Sequence, residues 1–198
     1  MAVVSGRPAE AVRARLPVPG IEVFGLYGLE GTSAAQPSPA SSVRDDLARL
    51  AALVPGAWVE DKGSSLALHY REAVHPDQAE GELGPRVASL AERHQMTLLS
   101  GKRVFELAPA QTPGKGAVVT EAVRERGLRA VLYAGDDVAD LDAFEALDRL
   151  RNEGLTTVKV VVRSAGTPPA LRAAADVQVE DPSELVRLLE TLASELPR

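Results

Sequence analysis

The sequence predicts an α/β protein in which a parallel-sheet domain is split by an α+β insert. Three observations predict this. From residue 115 onward, strand and helix patterns alternate, as they do where helices cross between parallel strands. Between 42 and 107 the pattern reads helix, two strands, helix, two strands, with glycine turns joining antiparallel neighbours. The crossings between the two patterns, near 25–42 and 108–114, are rich in hinge-forming residues, which lets the insert move as a lid.

The elements follow in order. Val3-Val4 ends an apolar run and meets Ser5-Gly6-Arg7-Pro8, a buried strand entering a loop, with a helix starting near Pro8. Residues 21–25 form a second short strand, and 31–42, rich in Ser, Ala and Pro, a loop. Ser42 opens a helix with Asp45 as its capping partner and Val43, Leu47, Leu50 and Val54 as its apolar face. Residues 58–62 and 65–71 form a hairpin on Gly63-Ser64; Leu66, Leu68 and Tyr70 share one face, and Ala67, His69 and Arg71 the other. A helix over 85–94 turns Val87, Leu90 and Ala91 inward, and a second hairpin joins 96–100 to 103–107. Residues 115–126 form a helix closed by Gly127. Strands follow at 129–133, 157–162 and 176–179, with a helix at 140–150. Asp181-Pro182-Ser183-Glu184 caps the last helix, whose face is Leu185, Leu188, Leu189 and Leu192.

Composition narrows the function. The 198 residues include 22 basic and 28 acidic side chains, a net charge of −6, and no cysteine. Disulfide scaffolds, thiolate zinc sites and cysteine nucleophiles are excluded. No Lys/Arg-rich block is present, so nucleic acid is not an expected partner. No apolar run approaches membrane-spanning length, so no membrane partner is expected either. Met1-Ala2-Val3-Val4-Ser5 lacks the charged and apolar regions of a secretion signal, so a cytoplasmic location is expected. His69, His75 and His94 have no metal-ligand spacing and read as surface or satisfied histidines.

The sharpest chemical feature is Gly135-Asp136-Asp137-Val138-Ala139-Asp140, directly after the strand Val131-Leu132-Tyr133. Open α/β sheets bind ligands at the carboxyl ends of their strands. Crowded carboxylates there favour a hard divalent cation, magnesium over zinc. The bland alternative is a polar loop with Asp140 capping the next helix; the position after a buried strand favours metal. Lys115 opens a helix, against the macrodipole, where an ammonium and free amides suit an anion; the alternative is a solvated lysine. Ser5 has a hydroxyl suited to a phosphate oxygen, or to ordinary turn chemistry, and Arg7 is an anion or sugar contact or an exposed helix residue. In the insert, Trp58, Glu60 and Lys62 share a strand face by period two, and Glu106 lies on the face of Val104. Such polar groups hydrogen-bond sugar hydroxyls or form a solvated cross-strand ion pair, and taken alone they favour the ion pair.

Taken in order, these segments resemble the haloacid dehalogenase superfamily of phosphatases, and more narrowly the trehalose-6-phosphate phosphatases. The resemblance lies in Val3-Val4-Ser5-Gly6-Arg7, Gly25-Leu26-Tyr27-Gly28-Leu29-Glu30, Val59-Glu60-Asp61-Lys62-Gly63, Leu68-His69-Tyr70-Arg71, Glu106-Leu107-Ala108-Pro109 with Lys115-Gly116, and 134–144. Tyr27 stands at the family's usual histidine, Ala108 at its arginine and Gly114 at its aspartate. The resemblance implies a Rossmann-like parallel-sheet core at 1–30 and 108–198 and an α+β cap at 31–107. It implies magnesium-dependent removal of phosphate from trehalose 6-phosphate, a small sugar phosphate. Asp136 would bind the metal, with Asp137 and Asp140 holding its waters or orienting neighbours. Lys115 and Ser5 would bind phosphoryl oxygens, Arg7 would contact the anion or sugar, and Glu60, Lys62 and Glu106 would read the disaccharide.

The superfamily's first motif, Asp-x-Asp-Gly-Thr, lies upstream of the second, and this sequence starts inside the second motif's strand. The core is therefore expected to lack its first strand and helix, and no other aspartate is nominated as nucleophile. Two explanations compete: Met1 marks an internal start within a longer frame, or the chain is catalytically crippled. The first is favoured because the other motifs are kept, and little turnover is expected of residues 1–198. The alternatives for function are another sugar phosphatase of the superfamily, acting on sucrose or glucosylglycerate phosphates, and a non-catalytic sugar-phosphate binder or regulatory partner of a synthase.

Overall fold

A computed structural model describes residues 1–30 and 39–195. The chain folds as two compact units, Met1–Gly114 and the segment from Lys115 onward. The α/β expectation holds, with parallel sheets early and late in the chain and an antiparallel sheet between them in sequence.

In the first unit, β1 (Ala2–Val4) and β2 (Glu22–Phe24) pair in parallel with Val3 opposite Val23, and α1 (Ala9–Arg15) crosses between them. After β2 the chain turns through Leu26, Tyr27 and Gly28, whose φ angles are 48°, 57° and 91°. Left-handed backbone at a non-glycine residue costs about 1–3 kcal/mol and persists only where its surroundings enforce it. Here the N–H of Leu26 donates to the Arg7 carbonyl (3.1 Å) and that of Tyr27 to the Ser5 carbonyl (2.9 Å). The strained turn therefore fixes the loop that follows β1.

The rest of this unit is α2 (Ser41–Ala51), β3 (Trp58–Asp61), β4 (Leu66–His69), α3 (Pro76–Arg93), β5 (Met96–Gly101) and β6 (Val104–Pro109). The strands form one antiparallel sheet in the order β3-β4-β6-β5. Val43 and Leu47 from α2, with Leu83, Val87 and Leu90 from α3, pack on Leu66, Leu68, Tyr70, Phe105 and Leu107. Tyr70 and Phe105 stack with centroids 5.1 Å apart. Strand parity sends Trp58, Glu60, Ala67, His69 and Glu106 to the opposite face. That second face is not simply solvated, because every residue of β4 is buried.

Two local readings change. The helix expected at 85–94 begins nine residues earlier, at Pro76, where a missing N–H costs nothing. Pro85 lies inside it; an interior proline costs roughly 3 kcal/mol, which the burial of Leu83, Val87 and Leu90 outweighs. α2 begins at Ser41 after Ala40, with no side-chain cap, so Asp45 has no capping role. Of the predicted loop at 31–42, residues 31–38 lie outside the described residues.

The second unit contains α4 (Gly114–Glu125), β7 (Ala130–Gly135), α5 (Asp140–Asn152), β8 (Thr156–Val162), α6 (Pro169–Ala174), β9 (Val177–Val179) and α7 (Pro182–Glu195). β7, β8 and β9 form a parallel sheet in that order. Its core centres on Phe144, Val161 and Leu171, with Tyr133 edge-on to Phe144 at 6.2 Å. Gly127, at φ 57°, ends α4 as expected. Asp181 accepts the N–H of Glu184 at 2.9 Å, while the Glu184 carboxylate reaches back to the N–H of Glu180 at 2.6 Å. α6 was not foreseen, since six residues are too few to show a period. The predicted inward face of α7 is only partly so: Leu185 and Leu188 are half-buried, whereas Leu189 and Leu192 are exposed.

Candidate active site

In the second unit the acidic loop leaves β7 at Gly135 and enters α5 at Asp140. A Cβ on Gly135 would collide with the Asp140 carboxylate, so only glycine permits this close return. Asp140 is 3% exposed. Its Oδ2 accepts the backbone N–H groups of Asp136 (2.8 Å) and Asp137 (2.9 Å). Its Oδ1 accepts Lys115 Nζ (2.6 Å) and Tyr133 Oη–H (2.8 Å). Four donors fill the acceptor capacity of one carboxylate. Asp140 thus does not cap α5; it ties the loop to Lys115, as a residue that orients its neighbours would. Burial, then the Asp140 charge, pushes the Tyr133 hydroxyl well above its ordinary value, so it stays a donor.

A second strap positions the lysine. Asp142 Oδ2 accepts the N–H of Gly116 at 2.8 Å, at the amino end of α4. A carboxylate there complements the helix dipole that Lys115 opposes. Sequence reasoning missed Asp142, and no spacing rule points to it. Asp136 is exposed and Asp137 half-buried, with Asp137 Oδ1 accepting the N–H of Val138 at 2.7 Å. Among the described residues no three His, Cys, Asp or Glu side chains are grouped to hold a metal ion. The donor chemistry still fits magnesium, which commonly uses one or two carboxylates and completes its shell with water and phosphate. Asp136 and Asp137 are the carboxylates of that kind.

In the first unit, Ser5 Oγ accepts the N–H of Arg7 at 3.0 Å, the turn alternative of its sequence reading. Arg7 is exposed. Gly6 lies under the Tyr27 ring; a Cβ there would stand 2.5 Å from Tyr27 Cζ. Lys62 Nζ reaches the Gly6 carbonyl at 3.1 Å and Glu106 Oε2 at 2.7 Å. Ser65 Oγ donates to Glu106 Oε1 at 2.6 Å. Lys62 and Glu106 therefore form the expected cross-strand pair, but a buried one, seated on the loop after β1. Glu60 is separate from it and bonds His69 Nε2 at 2.8 Å. Arg71 can only donate, so His69 Nδ1 accepts its Nη2 at 3.1 Å and Nε2 carries the proton. Burial first, opposed by the Glu60 hydrogen bond, lowers the His69 pKa from its ordinary 6.5. Trp58 stacks on this histidine with centroids 4.1 Å apart.

Comparison with known proteins adds the following. The trehalose-phosphatase family model matches residues 1–183. A trehalose-phosphate phosphatase of Mycobacterium avium is 32% identical over 214 residues, covering 100% of this chain and 53% of the relative. The chain thus spans about half the length of the curated relatives it matches. Among solved structures, the C-terminal domain of Candida albicans trehalose-6-phosphate phosphatase aligns with a TM-score of 0.76 at 21% identity, over 98% of this chain and 78% of that one. The C-terminal domain of a Candida albicans trehalose synthase regulatory protein aligns with a TM-score of 0.69 at 15% identity, over 93% and 78%. At these identities the structural likenesses show the α/β fold.

Proposed function

The chain belongs to the trehalose-phosphatase family, and from that premise we propose that it carries the phosphate- and sugar-binding machinery of a hydrolase that removes phosphate from trehalose 6-phosphate. The observation that carries the reading is the Asp140 knot, which holds a lysine beside two further carboxylates at the carboxyl end of a parallel strand. Such an arrangement binds a phosphoryl group: the ammonium offsets negative charge that grows on the transferring oxygens. A magnesium ion held by Asp136, with Asp137 nearby, would supply further charge neutralisation.

In this reading Lys115 contacts a phosphoryl oxygen, and Asp140 keeps it aimed. Asp142 and Tyr133 are positioning residues. Ser5 supplies a hydroxyl to phosphate and Arg7 a guanidinium to the anion or sugar. Lys62 donates to sugar hydroxyls, while Glu106 and Glu60 accept from them. The core segments are 1–30 and 108–198 and the cap is 31–107. No helix among the described residues is long and apolar enough to cross a membrane; a cytoplasmic site suits a small phosphorylated substrate.

A second reading has its own support: the fold is shared with the C-terminal domain of a regulatory protein. This reading has the chain bind sugar phosphate without cleaving it. Phosphate release from trehalose 6-phosphate and sucrose 6-phosphate, with magnesium or a chelator, measured beside calorimetric binding, separates the readings. Magnesium-dependent release that prefers trehalose 6-phosphate supports the hydrolase. Binding without release supports the second reading, and neither binding nor release removes both.

A further inference from the structure

Trp58 is the only tryptophan of the chain and stands on β3, an edge strand of the antiparallel sheet. One ring face lies on His69, at 4.1 Å and 18° from parallel. The pair is unequal: His69 is 6% exposed and Trp58 41%. The histidine cannot turn freely, because Glu60 holds Nε2 and Arg71 lies on Nδ1. The indole therefore rests on a fixed backing. A flat apolar face is rimmed by a carboxylate and a guanidinium, Glu60 and Arg71, both open enough to meet a ligand.

That combination matches a hexopyranose. The axial C–H bonds of such a ring make one apolar face, and its equatorial hydroxyls radiate in the ring plane, where Glu60 accepts and Arg71 donates. A preorganised platform also limits the ordering cost of binding. Position supports the match. Lys62 is four residues from Trp58 on the same parity, roughly 13 Å along an extended strand. At that end its ammonium is seated on the loop after β1. One sheet face thus runs from the loop after β1, to which the proposed function assigns the phosphate, to an aromatic platform, about the reach of a disaccharide phosphate. Resting on the trehalose-phosphatase reading, we infer that the Trp58–His69 stack is the specificity-determining platform for the unphosphorylated glucosyl ring of the substrate.

Because Trp58 is the sole tryptophan, its emission reports on this platform directly. The full chain is titrated with trehalose 6-phosphate, trehalose and inorganic phosphate, each followed by emission and by calorimetry. The two sugars are expected to shift the emission saturably, and phosphate to leave it unchanged. Trp58→Ala should weaken trehalose 6-phosphate binding about three- to tenfold, and Trp58→Phe by less than about twofold. Neither variant should alter inorganic phosphate binding. Thermal melts establish that both are folded; should the alanine variant fail to fold, the wild-type titration and the phenylalanine variant decide. Trehalose 6-phosphate binding with unmoved emission, an equal shift with phosphate alone, or a Trp58→Ala protein that binds like wild type would each overturn the platform and leave the family reading standing. No binding of trehalose 6-phosphate by the wild type would overturn both.

Discussion

Two lysine–carboxylate pairs, one in each unit, look alike and are built differently. Lys115–Asp140 is 2.6 Å long and Lys62–Glu106 2.7 Å, and all four side chains are largely buried. Around Asp140 the remaining donors are local: two amides of its own loop and a tyrosine seven residues back. Glu106 also accepts from Ser65, and Lys62 makes its second bond to the Gly6 carbonyl, 56 residues away in sequence. The first pair sets the shape of one loop. The second clips a sheet to a loop that a strained turn already fixes. A buried ion pair by itself adds little stability; what differs is what each pair holds in place.

The largest expected effect tests the first pair. Asp140→Ala removes the acceptor of four donors and leaves Lys115 buried without its partner, so urea unfolding should lose about 3–5 kcal/mol. Inorganic phosphate binding should fall with it. A variant that unfolds like wild type would mean that the loop does not depend on the knot.

Glu106→Gln should do less, about 1.5–3 kcal/mol, because Lys62 keeps the Gly6 carbonyl and Ser65 still finds an oxygen. The double variant Lys62→Met/Glu106→Leu should recover much of that loss, since matched apolar groups can replace a buried pair. It should nevertheless fail to bind the sugar. Recovery of both stability and binding would strip Lys62 and Glu106 of their proposed role.

Single-donor deletions then compare the two acceptors. Tyr133→Phe leaves Asp140 three donors, whereas Ser65→Ala leaves Glu106 only Lys62 among the described residues. The expected losses are about 0.5–1 kcal/mol and about 1–2 kcal/mol respectively, read from chemical unfolding. The reverse order would mean that the carboxylates are not ranked by how fully they are satisfied.

How much of this was legible in the sequence follows from the same contrast. The acidic loop was, because three aspartates after an apolar strand are a local pattern, although β7 itself is only half-buried. The role of Asp140 was not, since Lys115 is 25 residues away and the loop amides carry no sequence signature. Strand parity put Trp58, Glu60 and Lys62 on one face. It could not supply the register Ala67↔Glu106, because the sheet order β3-β4-β6-β5 departs from chain order and places Glu106 two strands away from the other three, across β4. Pro85 misled for a plain reason: a local rule worth roughly 3 kcal/mol lost to the burial of Leu83, Val87 and Leu90. Family resemblance brought in Lys62 and Glu106, and geometry added Asp142, Tyr133 and the stacked histidine.

The smallest effect separates the two regions by pH. His69 is held below 6.5 chiefly by burial, against the Glu60 hydrogen bond, with Arg71 and Lys62 adding repulsion. A depressed histidine pKa means that the unfolded chain takes up its proton first on acidification. Stability from this source is therefore complete above about pH 6.5 and is lost as pH falls from there through the folded value. His69→Gln cannot titrate, so its unfolding free energy should decline less steeply than that of wild type between about pH 7 and pH 5. His75 and His94 are common to both proteins and cancel in the difference. So does Asp46, whose pKa is lowered by Arg49 and then His94. The Asp140 knot contains no histidine, and its tyrosine is pushed upward, away from this window. Tyr133→Phe should accordingly keep the wild-type slope while His69→Gln flattens it. Parallel curves for all three proteins would show that the histidine behind Trp58 takes up its proton equally in the folded and unfolded chain, and the two regions would no longer differ in their response to acid.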